Sequence, residues 1–167
     1  MQTGDKSTFA IECEVRDAID SFVYCNFRFW IAGEPTGDWD EEVVLGVLIN
    51  SADVYMRYRG NRCLDNMNNM NTEQLWNHID RVVSSDDPDD LYMSLEGRYR
   101  QRYLLHEIAD DSVATVCKVI VVERSDGAQR LLWKRNGSNN IQEIMLPKLT
   151  VDKTVGDFLY WAETQSR

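Results

Sequence analysis

His78 and His106 are the only histidines in the 167-residue chain, so any general acid–base chemistry near neutral pH rests first on them. His106 has Glu107 beside it, the minimum for a hydrolase site assembled from scattered residues. Neither histidine has a recognisable nucleophile or orienting carboxylate at motif spacing. The sequence contains no phosphate-binding glycine loop, no G-x-G-x-x-G, no H-E-x-x-H and no G-x-S-x-G. The expectation is a protein without catalytic residues, with a cryptic hydrolase at His106 and Glu107 as the remote alternative.

Metal chemistry has equally thin support. Asp86, Asp87, Asp89 and Asp90 form an oxygen-rich cluster of the kind hard cations take as ligands. Their spacing does not match a calcium loop, and Pro88 interrupts it, so they read as a solvated acidic loop. Cys13, Cys25, Cys63 and Cys117 show no C-x-x-C spacing. Cys13 and Cys25 could face each other across paired strands, but a reducing compartment favours free thiols. No cofactor or metal is expected.

Binding chemistry is better represented. Arg57-Tyr58-Arg59-Gly60-Asn61-Arg62 and Arg98-Tyr99-Arg100-Gln101-Arg102-Tyr103 interleave cations with aromatics, as an RNA-binding strand does. The acidity of the chain favours the other reading, that these arginines pair with the surrounding carboxylates. Trp30 and Trp39 read first as core or boundary packing, since helices could cover that face. The sharper alternative makes them partner contacts, since Trp, Tyr and Arg often dominate protein interfaces. Glu41 and Glu42 form a second acidic candidate beside Asp86, Asp87, Asp89 and Asp90.

The elements that must position these residues follow from periodicity. Phe9, Ile11, Cys13 and Val15 alternate with polar residues over 7–16, and Val23, Cys25, Phe27, Phe29 and Ile31 do so over 23–32. Both runs predict half-buried strands joined as an antiparallel hairpin. A turn at Gly33–Asp38 precedes an expected helix that starts near Asp38 or Asp40, puts Glu41 and Glu42 in its first turn, and ends before Gly60. Val43, Val44, Val47 and Ile49 would also suit a strand, but the end signals favour the helix. Asn71 and Gln74 predict a capped second helix carrying Leu75, Ile79 and Val82 or Val83 on one face. Strands are expected over 100–108, 113–123, 129–135 and 141–146, with a final helix from Asp152 to Glu163. The fold class is therefore α+β: a single domain over residues 1–167, with an antiparallel sheet of five or six strands and two or three helices mainly on one face.

Charge narrows the partner. Asp and Glu number 28 against 18 Lys and Arg, a net charge of −10. Residues 1–112 hold 22 acids and 10 bases, whereas residues 113–167 hold 6 and 8. Such a surface attracts cationic partners and repels nucleic acid and anionic lipid. No apolar run reaches the roughly 20 residues of a membrane span, and the first residues carry no secretory signal. A cytoplasmic protein with neither membrane nor nucleic acid as partner is expected.

Gly4-Asp5 ahead of Phe9-Ala10-Ile11-Glu12, then Phe29-Trp30-Ile31-Ala32-Gly33, Gly37-Asp38 and Leu146-Pro147 resemble the immunity protein 42 family. That resemblance implies an immunity protein of a bacterial polymorphic toxin or contact-dependent growth inhibition system. Such a protein binds the C-terminal domain of its cognate toxin and neutralises it. It implies no catalytic residues. A nuclease toxin with a basic, nucleic-acid-binding surface would suit the acidic surplus, and Asp86, Asp87, Asp89, Asp90, Glu41, Glu42 and Trp30 are the expected contacts.

Overall fold

The computed structural model describes residues 1–63, 67–84, 102–109 and 111–165. The alternating runs form β2 (Phe9–Ile19) and β3 (Phe22–Ile31), paired antiparallel with Phe9 opposite Ile31 and Cys13 opposite Phe27. β1 (Gln2–Asp5) adds to the free edge of β2. The other edge of β3 is shared by β4 (Glu34–Thr36) and β5 (Glu42–Val44), making a five-stranded sheet. A second sheet of three strands, β6 (Cys117–Glu123), β7 (Gln129–Arg135) and β8 (Gln142–Leu146), is antiparallel throughout. Helices with bounds among the described residues include α1 (Leu45–Met56), α2 (Thr72–Ser84), a single turn α3 (Asp111–Ala114) and α4 (Thr150–Gln165).

The α+β class with antiparallel sheets is thus the observed one, but the strands divide into two sheets of five and three. One apolar cluster draws on both. It joins Phe9, Ile11, Phe27, Phe29 and Ile31 of the large sheet to Val119, Val121, Leu131 and Trp133 of the small one, with Leu48, Ala52, Val155 and Phe158 from α1 and α4. The opposite face of the small sheet carries Ile120, Val122 and Leu132, which pack under Leu75, Trp76 and Ile79 of α2. Burial on both faces explains why β6 reads as a nearly unbroken apolar run. No helix of the described residues is long and apolar enough to cross a membrane.

Three segments depart from expectation. Glu42–Val44 is a strand and the helix begins only at Leu45, because Val43 and Val44 pair with Cys25 and Tyr24. Tertiary pairing of β-branched residues outweighs the favourable placement of carboxylates at a helix start. The strand expected over 100–108 is reduced, among the described residues, to one bridge between Leu104 and Ile120, followed by a 3-10 turn at Leu105–Ile108. Tyr103, Leu104, Leu105 and His106 are consecutively buried, a pattern no half-buried strand shows. The strand expected from Val113 starts four residues later, after α3. By contrast, the Asn71–Gln74 cap is present in both directions: Asn71 N–H donates to Gln74 Oε1 at 3.1 Å and Gln74 N–H to Asn71 Oδ1 at 2.9 Å.

The resembling glycines also have structural reasons. Gly4 has φ +85°, and a Cβ there would lie 2.4 Å from the Phe9 carbonyl oxygen. At Gly37, φ +128°, a Cβ would meet Val113 at 3.0 Å and Arg28 at 3.2 Å. Only glycine fits such approaches without displacement.

Candidate functional site

The inner face of β3 is consumed by the core, so its outward residues are the ones free to act. These are Phe22, Tyr24, Arg28 and Trp30, at alternate positions of the strand; Asn26 shares their phase but is itself buried, 4% exposed. Their register partners extend the face sideways. Glu12 lies opposite Arg28, Glu14 opposite Asn26, and Glu42 opposite Asn26 from the other side. The face runs about 26 Å along the strand at roughly 3.3 Å per residue. α1 and α4 contribute their buried residues to the opposite side.

Glu12 organises one end. Its Oε2 accepts from Arg28 Nε at 2.8 Å and from Trp30 Nε1 at 2.7 Å, while Lys6 Nζ reaches Oε1 at 3.3 Å. The Arg28 guanidinium sits 4.3 Å from the Trp39 ring centroid and 5.0 Å from that of Trp30. Lys6 covers Trp30 at 4.0 Å. Burial opposes ionisation of Glu12, but the hydrogen bonds from Trp30, Arg28 and Lys6, with the Arg28 charge, hold its carboxyl below the usual range. Asn26 links the middle of the face, accepting from Arg16 Nε and donating to the Trp39 carbonyl at 2.5 Å. Arg16 is also paired with Glu14 at 3.1 Å.

The arrangement holds two tryptophans and an arginine in fixed poses before any partner arrives. Ordering such side chains in advance removes a conformational cost from binding, and these residue types supply most interface energy. It offers no nucleophile and no aligned acid–base pair. His106 is buried against β6, its Nδ1 accepting from the Val119 N–H at 3.1 Å. That contact ties the 3-10 turn to the sheet.

Of the residues expected to bind, Trp30 and Glu42 lie on this face and Glu41 immediately precedes it, half-buried. Asp86, Asp87, Asp89 and Asp90 lie outside the described residues, as do Arg98 and Arg100. The first arginine cluster is split: Arg57 pairs with Asp53 one helical turn back, while Arg62 is wholly buried. An Arg62 inside the protein is unavailable to RNA. Arg28, Glu12, Lys6 and Tyr24 were not singled out from sequence. The signal was there in the outward phase of β3, which is aromatic or charged at four of five positions.

A family model described as Immunity protein 42 matches residues 1–161. Among solved structures, the chain is similar to that described as CdiI from Burkholderia dolosa AUO158, with a TM-score of 0.72 and 17% identity, over 96% of this chain and 99% of that one. No curated protein matches the chain.

Proposed function

The chain belongs to the immunity protein 42 family, and we propose that it neutralises one cognate toxin domain by stoichiometric binding through the outer face of the large sheet, acting as a single domain in the cytoplasm. The observation that carries the reading is the preorganised Arg28–Glu12–Trp30–Trp39 lattice on a sheet face that α1 and α4 leave open. Trp30 and Arg28 supply the central contacts, and Glu41 and Glu42 supply charge at the side. Asp86, Asp87, Asp89 and Asp90 add a further acidic surface. The partner is a toxin C-terminal domain with a basic surface, and a nuclease fits best, because a cleft built for nucleic acid is cationic. Acidic surfaces raise the encounter rate with such a cleft and keep the protein off nucleic acid itself.

The test is co-expression with the toxin domain encoded upstream of the gene for this chain. Cells should survive only with both proteins present, and the purified pair should run as one complex in which cleavage of RNA or DNA is lost. Absence of both protection and binding would sink the proposal. Protection from a toxin that cleaves neither nucleic acid would remove the nuclease assignment alone.

A further inference from the structure

The β2–β3 hairpin continues beyond the core it helps to build. From Glu14 to the end of β2 every residue is exposed. A register irregularity between Val15 and Ala18 precedes the tip, where Ile19 and Phe22 face each other as a cross-strand pair. Their exposures are 58% and 53%, in a region where Val15 and Val47 are also open at 37% and 43%. These four stand among six large apolar side chains exposed in the described residues. Ile19 and Phe22, paired across the strands, form an exposed apolar patch of the kind that marks interaction sites.

Phe22 and Val47 line a common groove of about 420 Å³ between the hairpin tip and the first turns of α1, with Val23 and Val44 behind them and Gly46 in its wall. A Cβ at Gly46 would meet nothing within 4 Å. Neither space nor a special backbone conformation demands glycine there, in the first turn of α1. Its absent side chain leaves room for another.

Charge identifies the visitor. From Asp17 to Met56 the chain holds eight acids, and its sole Lys or Arg is Arg28, which Glu12 neutralises. Exposed Asp17 and Asp20 lie on the hairpin, and Glu41 and Glu42 precede the Val44 side of the groove. A second copy of this chain would bring the same negative rim against itself, and an anionic bilayer would be repelled. We infer that this groove is an anchor pocket for a bulky apolar side chain presented by the toxin domain from within a Lys- or Arg-rich surface. The inference rests on the immunity reading and gives its partner a particular shape: an apolar knob ringed by cations.

The probe is the catalytically inactivated toxin domain encoded upstream, immobilised and titrated with wild type and folded variants. Phe22→Ser and Val47→Asp should each weaken binding at least tenfold, mainly by faster dissociation. Gly46→Leu fills the groove from its own wall. It should weaken binding at least tenfold while leaving Tm unchanged or higher, which separates a blocked groove from a damaged fold. Asp17→Asn with Asp20→Asn should slow association several-fold and flatten its salt dependence. Tyr160→Ser, which removes an apolar side chain exposed elsewhere on α4, should bind like wild type.

Groove variants with wild-type Tm and affinity within twofold of wild type would overturn the anchor pocket and leave the immunity reading standing. A wild-type protein that neither binds nor protects would overturn both. A wild-type dimer in sedimentation velocity that Phe22→Ser dissociates would assign the groove to self-association instead.

Discussion

Two assemblies in this protein use the same three ingredients, an arginine, carboxylates and aromatic rings, and put them to different ends. Around Arg62, the guanidinium donates to Asp152 Oδ1 at 2.7 Å, to Glu123 Oε1 at 3.4 Å, and to the backbone carbonyls of Tyr55 and Arg102 at 2.6 and 2.8 Å. It lies 3.8 Å from the centroid of the Tyr55 ring. Gln129 donates to Asp152 and accepts from the Val151 N–H. The side chains of Arg62 and Asp152 are inaccessible to solvent, and that of Glu123 is nearly so. Around Arg28 the partners are strand neighbours, the carboxylate is shared, and the tryptophans keep part of their surface in water. The first assembly joins residues as far apart as Arg62 and Asp152 and closes α1, α4, the end of β6 and the start of β7 on one charge. The second holds a surface in readiness. Burial, not composition, decides which of them is structural.

The largest expected effect follows from breaking the buried assembly on one side. Arg62→Ala leaves two carboxylates inside the protein without their counter-charge, and such losses cost about 3–5 kcal/mol. Urea unfolding should show the midpoint falling accordingly. Replacing all three charges together, as Arg62→Met with Glu123→Gln and Asp152→Asn, should recover much of that loss, since the cost lies in unpaired charge and not in the absence of an ion pair. An unchanged midpoint for Arg62→Ala would erase the distinction between the two regions.

Breaking the surface assembly should do the reverse. Trp30→Ala should change unfolding free energy by only about 1 kcal/mol, the scale of a partly exposed side chain, while weakening toxin binding by about 2 kcal/mol, roughly 30-fold. Parallel calorimetric titration and thermal unfolding of the same variant read both quantities. Stability lost on the scale of Arg62→Ala, with affinity intact, would make Trp30 a core residue.

The asymmetry between the two assemblies is also what separated legible from illegible in the sequence. β2, β3, β7 and α4 declare themselves through local periodicity, and the α2 cap through two residues three apart. The face of β3 was half visible: Trp30 falls on the outward phase by counting, and so do Tyr24 and Arg28, but only the cross-strand register brings Glu12 to Arg28. Arg62 was half legible: the acidity of the chain favours pairing with carboxylates, and it does pair, but nothing local announces that its partners lie 61 and 90 positions away or that the pair is buried. At Glu42–Val44 the β-branched pair Val43 and Val44 carried a local strand signal, but only the pairing with Cys25 and Tyr24 decides it against the helix-start carboxylates. Separations of that length are set by tertiary closure, which a window of a dozen residues does not contain.

The smallest expected effect concerns Glu12, which joins Lys6, Arg28 and Trp30 while remaining partly in water. Its folded pKa lies below the ordinary glutamate value of about 4.5, so the folded state binds this proton less readily than the unfolded chain. The linked stabilisation is therefore complete above pH of about 4.5 and is lost as pH falls through the folded pKa. Glu12→Gln should cost about 1 kcal/mol at pH 7, the upper range for pairs at a surface. The difference from wild type should shrink steadily below pH of about 4.5. Glu143, likewise held low by Arg130 and Thr72 against the effect of burial, is present in both proteins and cancels from that difference. A gap between wild type and Glu12→Gln that persists undiminished into acid would mean that Glu12 acts through packing and not through charge. In that event the Arg28 lattice would owe its order to the tryptophans, and the contrast with the Arg62 assembly would rest on burial of rings instead of burial of ions.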